Sequence, residues 1–205
     1  MNRRTILIAS ALFLTVGTST AFAQDMDAHP SFGLLAGVNF ASLRGSDAAN
    51  AKTRTGFVGG LSMNLHVARH VGIEVDGLYS QEGAKFNAQG GDETLKLDYI
   101  RVPVLLRLGI PTQSSVHPFV VVGPSLGFKV GCKETLGSDS ANCDSVEGLS
   151  VKSFDFAGAV GGGVGFRVGK EELSVQARYT MGFSKIIDNS DAKNKNFSVM
   201  AGFAF

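Results

Sequence analysis

Eight stretches of this chain alternate, residue by residue, between two kinds of side chain, and few folds accept that pattern so many times over. They run near 32–42, 56–67, 71–82, 96–108, 117–129, 153–168, 173–184 and 196–205. Alternation with period two marks a β-strand whose two faces meet different surroundings. One face carries Phe32, Leu34, Val38 and Phe40 in the first stretch, Val120, Val122, Leu126 and Phe128 in the fifth, and Phe197, Val199, Phe203 and Phe205 in the last. The other is mostly Gly, Ser and Ala, interrupted by Asn64, His66, Glu74, Asp76, Glu82, Arg101, Arg107, Asp155, Arg167, Gln176 and Arg178.

Composition decides which face points outward. A surface facing water is roughly a quarter to a third Lys, Arg, Glu and Asp, with long side chains, whereas this face is chiefly Gly, Ser and Ala. Small side chains suit a closed interior, because eight strands leave a space that side chains just fill. The Phe, Val and Leu face then remains for lipid. In "RVPVLLRL" at 101–108, Arg101, Pro103, Leu105 and Arg107 turn inward, while Val102, Val104, Leu106 and Leu108 turn outward together with the preceding Ile100. Pro103 is awkward, since it supplies no N–H to a wall that has no free edge.

The connections have the same logic. Those after the second, fourth and sixth stretches are short, at 68–70, 109–116 and 169–172, whereas those at 43–55, 83–95, 130–152 and 185–195 are long and polar. Short turns on one side and long loops on the other characterise outer-membrane barrels, with the turns in the periplasm. The predicted fold is an all-β, eight-stranded antiparallel up-and-down transmembrane barrel over 32–205. Before it, Arg3 and Arg4 precede an apolar run that ends in "AFA" at 21–23, the pattern of a cleaved secretory signal over 1–23. Residues 24–31 then form a short periplasmic segment. Two of the 19 Lys and Arg residues lie in that leader, which leaves 17 against 18 acidic residues and gives no basic tract for nucleic acid. Export to an oxidising compartment predicts a disulfide between the two cysteines, Cys132 and Cys143.

The segments "GLLAGVNFASLRG", "LYSQEGA", "LDYIRVPVLLRL", "PFVVVGPSLGF" and "SVMAGFAF" resemble the outer-membrane β-barrel domain family often called PorT-like, found in Gram-negative bacteria. The likeness covers nearly the whole chain after the leader, and its most specific marks are Pro103 and Gly123-Pro124. It implies an integral outer-membrane protein without a catalytic motif. The closing Phe203 and Phe205 are similar to the assembly signal that such barrels present to the insertion machinery. Many members carry an acidic residue near the position of Arg101, so the interior charge pattern here is its own.

Isolated charges in a closed lumen are costly, so pairing is expected. Antiparallel pairing of the third and fourth strands predicts Asp76 nearly opposite Arg101, with Glu74 and Arg107 toward the periplasmic end. The lumen polar cluster Glu74, Asp76, Glu82, Arg101, Arg107, Asp155, Arg167 and Arg178 reads as a plug of ion pairs. His66, His70 and His117 gather near the periplasmic rim without a ligand set at metal spacing. The "GGGVG" at 161–165 lies mid-strand with no helix after it, which removes the phosphate-cradling geometry. Nothing in the sequence asks for a cofactor, and no nucleophile and base nominate themselves for catalysis. The expected role is structural or surface-interacting, as a monomer in outer-membrane lipid whose extracellular loops meet a ligand or surface. A small porin and a soluble periplasmic ligand-binding barrel stay open as alternatives.

Overall fold

Every alternating stretch forms a strand in the computed structural model, which describes residues 30–48, 51–88, 91–136, 139–143, 151–186 and 191–205. The expected leader and most of the segment 24–31 lie outside these residues. The strands are β1 (Ser31–Arg44), β2 (Lys52–Ala68), β3 (Val71–Ala88), β4 (Gly91–Gly109), β5 (Val116–Leu136), β6 (Asp139–Asn142), β7 (Phe154–Val168), β8 (Glu171–Gly182) and β9 (Lys193–Ala204). All except β6 form one antiparallel ring, which β1 and β9 close through pairs such as Val38 with Val199. The small β6 pairs only with the far end of β5, outside the ring. Closure gives the backbone of every ring strand two neighbours, the condition for crossing a hydrocarbon layer.

Side chains follow the alternation. Phe32, Leu34, Phe57, Leu61, Val104, Val122, Val160, Val175 and Phe203 lie exposed around the outside, while Asn39, Glu74, Asp76, Glu82, Asp155 and Gln176 are buried within. The short turns are 69–70, 110–115 and 169–170. Gly169 takes φ +69° in the last of these, a conformation glycine adopts freely.

Two of the three prolines in the strands, Pro103 and Pro124, fall at interruptions in the ladders, while Pro118 lies near the start of β5, where its carbonyl accepts from the Ile110 N–H. Between β3 and β4 the pairing runs to Val75 with Val104 and resumes at Leu78 with Arg101, and Pro103 lies in that interval. Between β4 and β5 it runs from Pro103 with Ser125 to Leu106 with Val122, and Pro124 lies in the interval. A missing N–H therefore coincides with a local break in pairing. Gly123 permits the close approach there, because a Cβ on it would stand 2.1 Å from the Val104 carbonyl oxygen.

Two regions expected as loops are strand instead. β3 runs on to Ala88 and β4 begins at Gly91, so most of 83–95 is paired, and β5 continues to Leu136. The reason is an apolar core at the long-loop end. Leu43, Ala84, Leu95, Leu97, Tyr99, Cys143, Val151 and Ile186 form one buried cluster, with Cys132 packed against it. A β-bulge makes this core. Asp98 pairs with Gly131 but Tyr99 with Lys129, so β5 has one extra residue, Val130. The insertion reverses the alternation: Phe128 and Val130 face outward, and Cys132 turns inward across from Leu97. There it meets Cys143 in a disulfide with a Cα–Cα distance of 5.5 Å.

Reducing that bond should loosen the cap locally. The chain-entropy model assigns about 3 kcal/mol to so short a loop. Hydrogen exchange read by mass spectrometry is expected to rise over 91–99 and 129–136 while β7 and β8 stay protected; unchanged exchange over 91–99 would count against the crosslink as the cap's support. The cap is also expected to respond to pH through Glu134, which lies beyond the outward apolar band. Burial, and then the hydrogen bond and charge of Glu93, raise its carboxyl above the ordinary range. A raised acid binds its proton more tightly in the folded state, so the cap should lose stability as pH rises above the ordinary carboxylate range. Glu134→Gln is expected to flatten this dependence in thermal melts of the refolded protein.

Candidate functional site in the barrel interior

Three guanidinium groups organise the charged interior. Nearer the long-loop end, Arg101 of β4 donates from Nε to Glu82 Oε1 at 2.5 Å and from Nη2 to Glu82 Oε2 at 2.6 Å. The same Nη2 reaches Asp155 Oδ2 of β7 at 2.7 Å. Asp155 also accepts from the Ser184 hydroxyl at 2.7 Å and the Asn194 amide at 3.0 Å, and Ser80 donates to Glu82 at 2.8 Å. Nearer the short-turn end, Arg178 of β8 donates to Asp76 Oδ2 and to Glu74 Oε1, both at 2.7 Å. Arg107 donates to Glu74 Oε2 at 2.8 Å and to Glu172 Oε1 at 3.1 Å, with its guanidinium 3.4 Å from the centre of the Phe119 ring.

Asn39 lies between the two groups. Its amide donates to Ser80 at 2.8 Å, and its carbonyl accepts from Ser198 at 2.7 Å. Apolar side chains fill the remaining space in two buried clusters, one of Leu35, Val58, Leu78 and Met200, the other of Leu105, Phe119, Val121 and Ala159. The interior is therefore packed by large residues as well as small ones.

The structure brings together Glu74, Asp76, Glu82, Arg101, Arg107, Asp155 and Arg178, with Glu74 and Arg107 paired toward the short-turn end as expected but Asp76 not matched with Arg101. Leu78, not Asp76, is across from Arg101 in the ladder. Arg101 reaches diagonally to Glu82 and over the lumen to Asp155, while Asp76 belongs to Arg178. Strand tilt causes the shift, since side chains that meet inside a sheared barrel are not those level in sequence register. Arg167 does not join the network. It is exposed at the short-turn mouth and has no ion-pair partner among the described residues. Sequence reasoning passed over Asn39, Glu172 and Asn194. Asn39 has the parity of Gly33 and Gly37 and was open to detection, whereas Glu172 and Asn194 fall just before the expected strand starts.

At the short-turn mouth are two neighbouring cavities of about 120 and about 160 Å³. His66, His70 and His117 line the first of them. Among the described residues, no three His, Cys, Asp or Glu side chains are placed to hold a metal ion.

Residues 22–188 match the family described as the outer membrane protein beta-barrel domain. The chain belongs to that family. A comparison with curated proteins finds no match. Among solved structures this outer membrane barrel is similar to Neisserial surface protein A, with a TM-score of 0.52 and 18% identity over 86% of this chain and 99% of that one. It is also similar to the outer membrane protein OprG from Pseudomonas aeruginosa, with a TM-score of 0.50 and 14% identity over 88% of this chain and 99% of that one. At these identities the likeness is one of fold. Family membership sets aside the soluble periplasmic barrel and gives the exposed Phe, Val and Leu belt its surroundings, the lipid of the outer membrane.

Ion pairs inside an outer membrane barrel are held by geometry. A buried pair adds little net stability over a well-packed apolar replacement, but removing one partner typically costs about 3–5 kcal/mol. Arg101→Leu would leave Glu82 and Asp155 buried without their cation. It is expected to lower the urea midpoint of the refolded barrel by that order, whereas Arg167→Leu at the exposed mouth should stay within about 0.5 kcal/mol of the parent. Equal midpoints for the two variants would contradict the network.

Proposed function

We propose that this is a filled, non-conducting barrel with a structural or surface-interaction role, working through its long-loop end and not as an enzyme. In this reading the short turns and the N-terminus face the periplasm, and the long loops face the exterior. The barrel acts as a monomer and is delivered by the barrel insertion machinery, with Phe203 and Phe205 as its assembly signal. Both of these phenylalanines point outward at the end of β9, where a recognition element is accessible.

One observation carries the reading: the disulfide-tied apolar cap sits above a lumen whose buried carboxylates are each engaged by arginine. A solute crossing from end to end would have to part both layers. The cap also gives the exposed segment 140–142 a rigid footing, as a recognition surface needs. Purified protein in planar bilayers is expected to give no conductance steps, and reproducible steps would replace this reading with that of a small porin. In parallel, cells displaying the barrel should adhere to other cells or to extracellular matrix, and deletion of residues 130–150 should abolish that adhesion without removing the protein from the membrane.

A further inference from the structure

The short-turn mouth is chemically unlike the rest of the molecule. Its first cavity is lined by Arg69 from the β2–β3 turn, Arg107 from β4, Arg167 from β7 and the three imidazoles of His66, His70 and His117, with Glu172 as the one carboxylate. That carboxylate is already bound to Arg107, which also holds Glu74. Arg69 and Arg167 have no anionic partner among the described residues. His117 Nδ1 and Asn64 Oδ1, both on residues lining the cavity, are buried atoms without a hydrogen-bond partner. The adjoining cavity adds Lys170 and Glu171, whose charges offset each other.

The shape narrows the choice of anion. A volume of about 120 Å³ is well below the roughly 300–1,000 Å³ of a pocket that encloses a whole small molecule. One charged group fits, and the remainder of its carrier must lie outside. Leu65, Val71 and Ile110 line the same cavity. Leu65 and Val71 belong to the outward face of the wall, and Ile110 is half exposed just past the end of β4. The cavity thus has basic groups toward the lumen and an apolar border continuous with the lipid belt. Guanidinium groups match phosphate oxygens in geometry and charge, and basic recesses at a membrane border favour anionic headgroups.

We propose that this recess binds the phosphate of an anionic membrane lipid, with Arg69 and Arg167 as the recognising cations and the acyl chains lying along the wall beside Leu65 and Val71. The shared chemistry is a phosphate group, and a free phosphate ion is the competing source. The test uses the full barrel purified in detergent, to which phosphatidylglycerol or phosphatidylcholine is added, with retained lipid read by native mass spectrometry. The parent protein is expected to retain phosphatidylglycerol in preference to phosphatidylcholine. Arg69→Gln combined with Arg167→Gln should weaken that retention by roughly tenfold or more, the effect of losing charge-assisted hydrogen bonds. Neither arginine belongs to the buried network, so the urea midpoint of the double variant should match the parent and exclude misfolding as the cause. Equal retention of the two lipids, or retention unaffected by the double substitution, would overturn the proposal. Displacement of the lipid by millimolar inorganic phosphate would overturn the lipid assignment and make the recess a free-anion site.

Discussion

A polypeptide in hydrocarbon must satisfy its own backbone, and nearly everything else in this molecule follows from that demand. Only a closed ring of strands does so in an all-β chain. Eight strands then fix an interior too narrow to stay open, and alternation forces half of every strand to face it. What the interior contains is thus a consequence of the wall. Gly, Ser and Ala make room, and Leu105, Phe119 and Met200 fill it. Arg101, Arg107 and Arg178 sit where water is scarce and each must find carboxylates. Pro103 and Pro124, each set in an interval where a ladder pauses, are the exception that the same demand has contained.

Much of this was legible in the sequence because period two is a local signal. Arg101, Glu74 and Asp155 could be placed indoors from their immediate neighbours alone. Their partners could not, because who meets whom depends on tilt and shear, properties of the whole ring that no single strand encodes. The sequence therefore matches Asp76 with Arg101, whereas its partner is Arg178, on β8. The cap was hidden for a different reason. Polar residues such as Lys133 and Glu134 suggested loop, and the bulge at Val130 shifts the alternation, so Cys132 reads as outward until the ladder to β4 is seen. The inward run Leu95, Leu97, Tyr99 was the available clue that the strand pairing continued.

The two ends of the barrel solve different problems with the same strands. At the long-loop end the strands overrun the lipid belt and bury an apolar core under a crosslink, which favours a fixed shape. At the short-turn end the strands stop soon after the belt and leave Arg69, Arg167 and three histidines around open recesses. The ion-pair layers between them hold the two ends at a constant distance and orientation. Whatever either end touches is accordingly met by a preset surface, since the packed interior offers little freedom to rearrange.

The extra residue at Val130 gives β5 two phases, one for the lipid-spanning part and one for the cap. Insertions or deletions of a single residue elsewhere in the strand would not be equivalent to the one already there. Loss of one position between Ser125 and Gly131 would remove the bulge and leave Cys132 inward across from Leu97, whereas a second inserted residue there would turn Cys132 to the membrane side and leave Cys143 in the core as a lone thiol. Compensation would require a matching change in β4. The crosslink thus acts as a frame marker for the strand, set against any further insertion before Cys132.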